Sequence, residues 1–435
     1  MQKKKKLWVI IPATIVVFLV VVAGAAFFTL EYYATSKVKQ EIDRHIKEVS
    51  KHVQVEYDSM GVNWLAWTVY LKKVKLSKPP LPGSITIDKI RVRDLTSIGV
   101  RWIPTVVVLD NISFISNDTK IGAQRFSTSF SLSRIPTQEE IAKDKTIFLK
   151  NLLTGDVSVK DISYADKKWQ VKIGQIETNY AVKKGNYKNS DLKINAMELK
   201  REDIDIHFDT FTLDASLDPK DVITHISKNV KNFYLKFPPD LMKSDDFLSR
   251  LTKLGYDHII FDFGLKYDYQ PQSKELHTSW DASVENMGRL KAALHWGDFV
   301  NPPVPLAGTL SQFLAFMDQV SQAPAKASLF SLKADYQDLG LAPKIIKAEA
   351  QSRGVSPEDL IQNLVGNINT FLLIVPLPAK VKEQFRSVTK FLQKPNEIHL
   401  ALTFQEPLRL KQLEESSLEL LFTLLGNTEV TITAK

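Results

Sequence analysis

The most uneven hydrophobic stretch comes first. After Lys3, Lys4, Lys5 and Lys6, the chain runs from Leu7 to Leu30 without one charged side chain. A helix rising about 1.5 Å per residue crosses a bilayer core in about 20 apolar residues, so this run predicts one transmembrane helix. A cleaved signal peptide is the alternative, with Ala23-Gly24-Ala25 as its small-residue site. The apolar run continues through Phe27, Phe28 and Leu30, however, longer than such a peptide needs. Residues 31–36 read Glu-Tyr-Tyr-Ala-Thr-Ser and do not match the tail lysines, so the positive-inside rule puts the tail in the cytoplasm and the rest outside it.

Beyond the span, Val38, Ile42, Ile46, Val49 and Val53 recur at helical spacing among charged residues, which predicts a short solvated stalk over 31–53. From 54 to 216 the period falls to two. Runs such as Thr68-Val69-Tyr70-Leu71, Ile85-Thr86-Ile87, Val106 to Leu109 and Phe126 to Leu132 predict a mainly antiparallel β region of about ten strands. A weak repeat aligns Gly155 to Tyr164 with Gly185 to Ile194, and Leu71 to Leu76 and Leu109 to Phe114 echo it, as stacked hairpins would.

Residues 217–435 read as mixed. Helices are predicted over Pro219–Phe233, Asp240–Leu254, Leu306–Val320, Ala342–Arg353, Pro357–Leu373, Ala379–Gln393 and Leu408–Leu425. Strands are predicted over Ile259–Tyr269, His277–Glu285, Gly288–Trp296, Ser328–Tyr336, Ile398–Phe404 and Glu429–Thr433. Ser356-Pro357-Glu358-Asp359 is a strong helix start, with a capping serine, proline in the first turn and acids beside the helix dipole. The expected fold class is therefore α+β: a transmembrane helix (1–30), a stalk (31–53), a β-rich region (54–216) and an α+β region (217–435).

Composition then removes options. Cysteine is absent, which excludes disulfides, thiolate metal sites, iron–sulfur clusters and a cysteine nucleophile. The net charge is +8, and the four tail lysines supply half of it. An exported body at +4 over about 400 residues gives no argument for nucleic acid.

Candidate chemistry is sparse. No Gly-x-Ser-x-Gly, His-Glu-x-x-His, phosphate-loop or dinucleotide fingerprint occurs. Asp203, Asp205, His207 and Asp209 would share one strand face, opposite Ile204, Ile206 and Phe208. Residues two apart on a strand lie about 6.5–7 Å apart, so these four converge poorly on one ion without ligands from elsewhere, and an exposed polar face is expected. The apolar phase flips after Asp209, which suggests a bulge or turn near Asp209-Thr210. His277 with Trp280 and Asp281, and His295 with Trp296 and Asp298, each lack an obvious third member and are expected to be structural. Trp64 and Trp67 suit either an outer-leaflet interface or a core. No catalytic, cofactor or metal residue set is assigned.

The outline of basic tail, single span, short helix and strands patterned like Gly155 to Asp161-Ile162 and Gly185 to Asp191-Leu192 resembles AsmA-like inner-membrane proteins that face the periplasm, over residues 1–215. That resemblance implies a role in envelope maintenance; a membrane-to-membrane lipid conduit is not expected of so short a chain. The function expected is that of a non-enzymatic, single-pass envelope protein without cofactor, whose partners are membrane lipids or an envelope protein. The alternatives are an envelope hydrolase using groups such as Asp203, His207 or Asp281, or a purely structural scaffold.

Overall fold

The computed structural model describes residues 54–63, 68–77, 83–98, 101–116, 118–132, 151–182, 188–238, 245–304, 310–375, 377–409 and 428–435. They hold seventeen strands and five helices, in two compact units: residues up to 182 with 190–202, and residues 183–189 with 203–435. Both units are built on antiparallel β structure, so the fold is mainly β and the expected α+β class is corrected. No helix among the described residues is long and apolar enough to cross a membrane. The run Leu7–Leu30, the stalk, Trp64 and Trp67 lie outside those residues, as does 410–425 of the helix predicted over Leu408–Leu425, whose first two residues are strand instead.

Unit 1 contains β1 (Gln54–Glu56), β2 (Ser59–Asn63), β3 (Thr68–Ser77), β4 (Ser84–Ile98), β5 (Arg101–Ser116), β6 (Thr119–Leu132), β7 (Leu152–Ala165), β8 (Gln170–Val182) and most of β9 (Lys188–Arg201). Strands β3 to β8 pair antiparallel, each with the next. Both β1 and β2 pair with β3. Its core is Leu71, Val74 and Leu76 from β3, Ile85, Ile87, Ile90 and Val92 from β4, and Val107 and Leu109 from β5.

Apolar spacing along these strands is not a plain alternation. It runs two, three, two: Val69, Leu71, Val74, Leu76 on β3; Val107, Leu109, Ile112, Phe114 on β5; Val157, Val159, Ile162, Tyr164 on β7; Leu192, Ile194, Met197, Leu199 on β9. In each three-residue gap sits one left-handed residue: Lys73, Asn111, Asp161 and Ala196, with φ between 50° and 52°. The pairing skips there, for example from Lys72↔Lys89 to Val74↔Ile87. A bulge residue of this kind re-phases the strand and adds twist, so apolar residues on both sides of it, such as Leu71 and Val74 on β3 or Leu109 and Ile112 on β5, reach the same core. These bulges are the true repeat: Asp161 corresponds to Ala196, not to Asp191.

Unit 2 carries β10 (Ile204–Leu217), β11 (Ile223–Lys236), α1 (Asp246–Lys253), β12 (His258–Gln270), β13 (Glu275–Val284), β14 (Gly288–Gly297), α2 (Leu310–Lys326), β15 (Ser328–Asp338), α3 (Leu341–Arg353), α4 (Pro357–Ile374), α5 (Ala379–Gln393), β16 (Glu397–Arg409) and β17 (Thr428–Ala434). Its strands pair antiparallel in sequence order. The helix predicted over Pro219–Phe233 is instead β11. Val222, Ile226, Val230 and Phe233 are spaced by four, four and three, which imitates a helix. The last gap is a bulge at Asn232, φ 51°, where two residues oppose Asp262 on β12. The phase flip after Asp209 is the same event seen from β10, and Asn232 donates its side-chain amide to Asp209 at 2.5 Å.

The helices lie on the apolar side of this sheet. Ala323 of α2 and the following Ala327 pack with Tyr269, Leu276, Trp296 and Leu329. Val381 of α5 and Leu372 of α4 pack with Val430 and Ile432 of β17. Leu251 of α1 packs with Phe237, Tyr256 and Met287. Helix α4 starts where its sequence predicts, Ser356 Oγ accepting from Asp359 N at 3.0 Å with Pro357 in the first turn.

Candidate functional site

Alternation on β13 and β14 sends Leu276, Trp280, Leu290, Ala292, Leu294 and Trp296 to the helix-covered side. Glu275, His277, Ser279, Asp281, Arg289, Lys291 and His295 go to the other. Register then aligns polar groups across strands. His225 on β11 faces Asp268 on β12, which faces His277 on β13, which faces His295 on β14, which faces Ser331 on β15. His225 Nδ1 and Asp268 Oδ1 are 2.6 Å apart.

The register at His277 and His295 is set by the three-residue turn Glu285-Asn286-Met287, in which Asn286 takes the left-handed conformation, φ 58°. The two rings stack with centroids 4.1 Å apart and planes 17° apart. Phe330 closes the other side of His295, its centroid 5.1 Å away. His295 Nε2 is buried without a hydrogen-bond partner, and Glu275 Oε2 stands 3.7 Å from it, beyond hydrogen-bond reach. Burial lowers the His295 pKa, the His277 charge adds to that, and Glu275 opposes both. Glu275, His277 and His295 offer ligand atoms that all lie within 4.8 Å of one another, the one such group of three or more among the described residues.

A concavity opens over this row, lined by Asp268, His277, Ser279, Ala293, His295 and Lys333. A second lies beside it, where Gly264, Ser279 and Ala293 leave room between Lys266, Lys291, Lys333, Asp281 and Asp335. Cross-strand pairs hold the charges in place. Arg289 donates to both oxygens of Asp281, at 2.9 and 2.5 Å, and Lys231 Nζ reaches Asp262 at 3.0 Å. His399 Nδ1 and Asp335 Oδ1 are 2.8 Å apart.

Asp205 and His207 do share a face of β10, 3.9 Å apart, but the His207 ring stacks on Tyr234 at 4.4 Å, Asp209 is bound to Asn232, and Asp203 lies in the turn before the strand. Asp203 in its turn, His207 on β10 and Asp281 on β13 are thus placed on different segments, and Asp281 is committed to Arg289. Asp298 accepts from Ser328 Oγ at 3.1 Å and so leaves His295. His277 and His295 meet one another across a hairpin, whereas in sequence each stands near an aspartate, Asp281 or Asp298. The signal was present: pairing outward from Glu285-Asn286-Met287 brings 277 opposite 295.

A family described only as an uncharacterized protein matches residues 281–435. That stretch is 155 of the 435 residues; it contains His295 and stops short of Glu275 and His277. No curated protein matches the chain.

Proposed function

We propose that this chain is a membrane-attached, non-enzymatic protein of the cell envelope whose β body presents a binding face to a partner protein. The observation that carries this reading is the sheet of unit 2, whose helices pack on one face while the other keeps a field of registered polar groups and two concavities. Ion pairs fixed across strands present defined charge positions at little entropic cost, which suits recognition of a polar partner. Attachment to a membrane is supported by the apolar run Leu7–Leu30 behind four lysines, and the AsmA-like outline supports the same setting.

Site-specific photocrosslinking in intact cells tests the partner reading. A photoreactive residue at Lys291 or Lys333 is expected to give one discrete adduct, and one at Lys347 on α3 none. Equal labelling from all three positions would refute it.

Membrane lipid is the second reading, favoured by the end of α4, where Phe371, Leu373 and Ile374 are 50%, 83% and 76% exposed. Exposed apolar tips of this kind mark interaction sites. In proteoliposomes carrying a photoactivatable acyl chain, labelling at 371–374 that vanishes on Leu373→Ser with Ile374→Ser supports lipid contact, and absence of labelling removes it.

A further inference from the structure

We propose that Glu275, His277 and His295 form a binding site for one divalent transition-metal ion of the zinc class, on the polar face of the unit 2 sheet. This goes beyond the envelope reading and does not depend on it. Two imidazoles and a carboxylate are a donor set that borderline ions take, and one that magnesium and calcium, which prefer all-oxygen shells, do not.

The three donors come from two adjacent strands, so the objection to ligands spaced along a single strand does not apply: β14 supplies His295 directly opposite His277. One donor is already immobilised. His295 is held between the His277 and Phe330 rings, and its Nε2 is a buried nitrogen with no hydrogen-bond partner. A buried polar atom left unpaired costs roughly 1–3 kcal/mol, and an ion in front of it removes that cost. The nearest carboxylate oxygen, on Glu275, faces it at 3.7 Å, too far for a hydrogen bond and close to the donor separation around a tetrahedral ion. With metal–ligand bonds of about 2.0–2.1 Å, that separation is about 3.4 Å.

The widest donor separation, 4.8 Å, must therefore shrink by on the order of 1 Å. The mobile parts can supply this: His277 is the exposed ring of the stack, and Glu275 can rotate about its side-chain bonds. Rings 17° from parallel aim their lone pairs side by side, so binding tilts His277 while His295 stays wedged. The fourth position goes to water or to Asp268, which pairs with His277 across β12 and lines the same concavity. His225 then supports that carboxylate from behind, as outer-shell partners of metal ligands do. Lys333 lines the concavity as well; Glu275 and Asp268 together outweigh its charge.

The test uses the purified full-length chain, stripped of metal and equilibrated with buffered Zn²⁺. One zinc per chain by mass spectrometry is expected, with Co²⁺ giving the intense visible absorption of a four-coordinate site. His277→Gln and His295→Gln each weaken binding by roughly tenfold or more, while His399→Gln and His258→Gln leave it unchanged. Zinc also raises the thermal midpoint of the parent and not of His277→Gln, and far-UV circular dichroism shows that the exposed His277 variant keeps its strands. Failure to retain stoichiometric zinc would overturn the proposal, and so would equal weakening by the control substitutions, which would mark adventitious surface binding.

Discussion

Asn232 on β11 is tied to Asp262 on β12: its backbone N–H donates to Asp262 Oδ1 at 2.8 Å. The side-chain amide bonds Asp209 on the other neighbour, so both flanking strands pin the left-handed residue that shifts the sheet's phase. Replacing Asn232 with Val puts a β-branched side chain in that conformation and removes the amide. A loss of about 2–3 kcal/mol in urea unfolding is expected. Asn232→Gly keeps the conformation and costs clearly less. Equal losses for the two would contradict the backbone argument.

Left-handed bulge positions of unit 1 hold residues poorly suited to φ near +50°. Lys73 and Ala196 sit there, and the Lys73 ammonium meets Asp58 at 3.3 Å only in an exposed ion pair, which contributes little. Lys73→Asn is expected to stabilise the protein by about 1 kcal/mol, because asparagine tolerates the left-handed region. A lowered denaturation midpoint would show that Lys73 has a role its φ does not reveal.

Two glycines should respond with opposite sign. A Cβ on Gly297 would clash with the Phe330 ring, and Phe330 flanks His295, so Gly297→Ala is expected to cost about 1–3 kcal/mol through overpacking. Gly366, inside α4, has open space around its would-be Cβ. Gly366→Ala should stabilise by about 0.5–1 kcal/mol. Calorimetric midpoints moving in the same direction for both would refute this contrast.

Thr278 points its hydroxyl to the apolar side of β13, between Tyr267 and Leu294, where Oγ1 is buried and unpartnered. Thr278→Val keeps the shape and removes the orphan oxygen. A gain of about 1 kcal/mol in chemical denaturation is expected; a loss would mean that the hydroxyl is used.

Arg289 holds the Asp281 carboxyl below the usual carboxylate range, chiefly by its two hydrogen bonds. The folded state then binds fewer protons here than the unfolded chain. The stabilising contribution is present above the unfolded value of about 4 and is lost as pH falls through the lowered folded value. The gap in stability between the parent and Asp281→Asn should shrink between about pH 7 and pH 3. A gap independent of pH would dissociate the ion pair from the effect.

Much of the strand pattern was legible because alternation is local. Ile259–Tyr269, Gly288–Trp296 and Ser328–Tyr336 lie within observed strands, and Ala379–Gln393 is α5. Legibility ended at the bulges. One extra residue turns a spacing of two into three, so β11 imitates a helix, and a repeat that pairs Asp161 with Asp191 misses the bulge at Ala196. The candidate site was harder to see, since a cross-strand pair is set by a turn and Glu285-Asn286-Met287 carries no glycine to announce it.

By itself, the sequence determined the charged-then-apolar start, the absence of thiol chemistry and the faces of the individual strands, because each depends only on residue type and near neighbours. Tertiary structure decided that helices and strands of the second half belong to one side-covered sheet. It also decided that bulge residues far apart in sequence carry the repeat, and that His277 and His295 stand ring to ring with Glu275 beside them. Contacts between strands depend on register, and register is set where chains turn and pair.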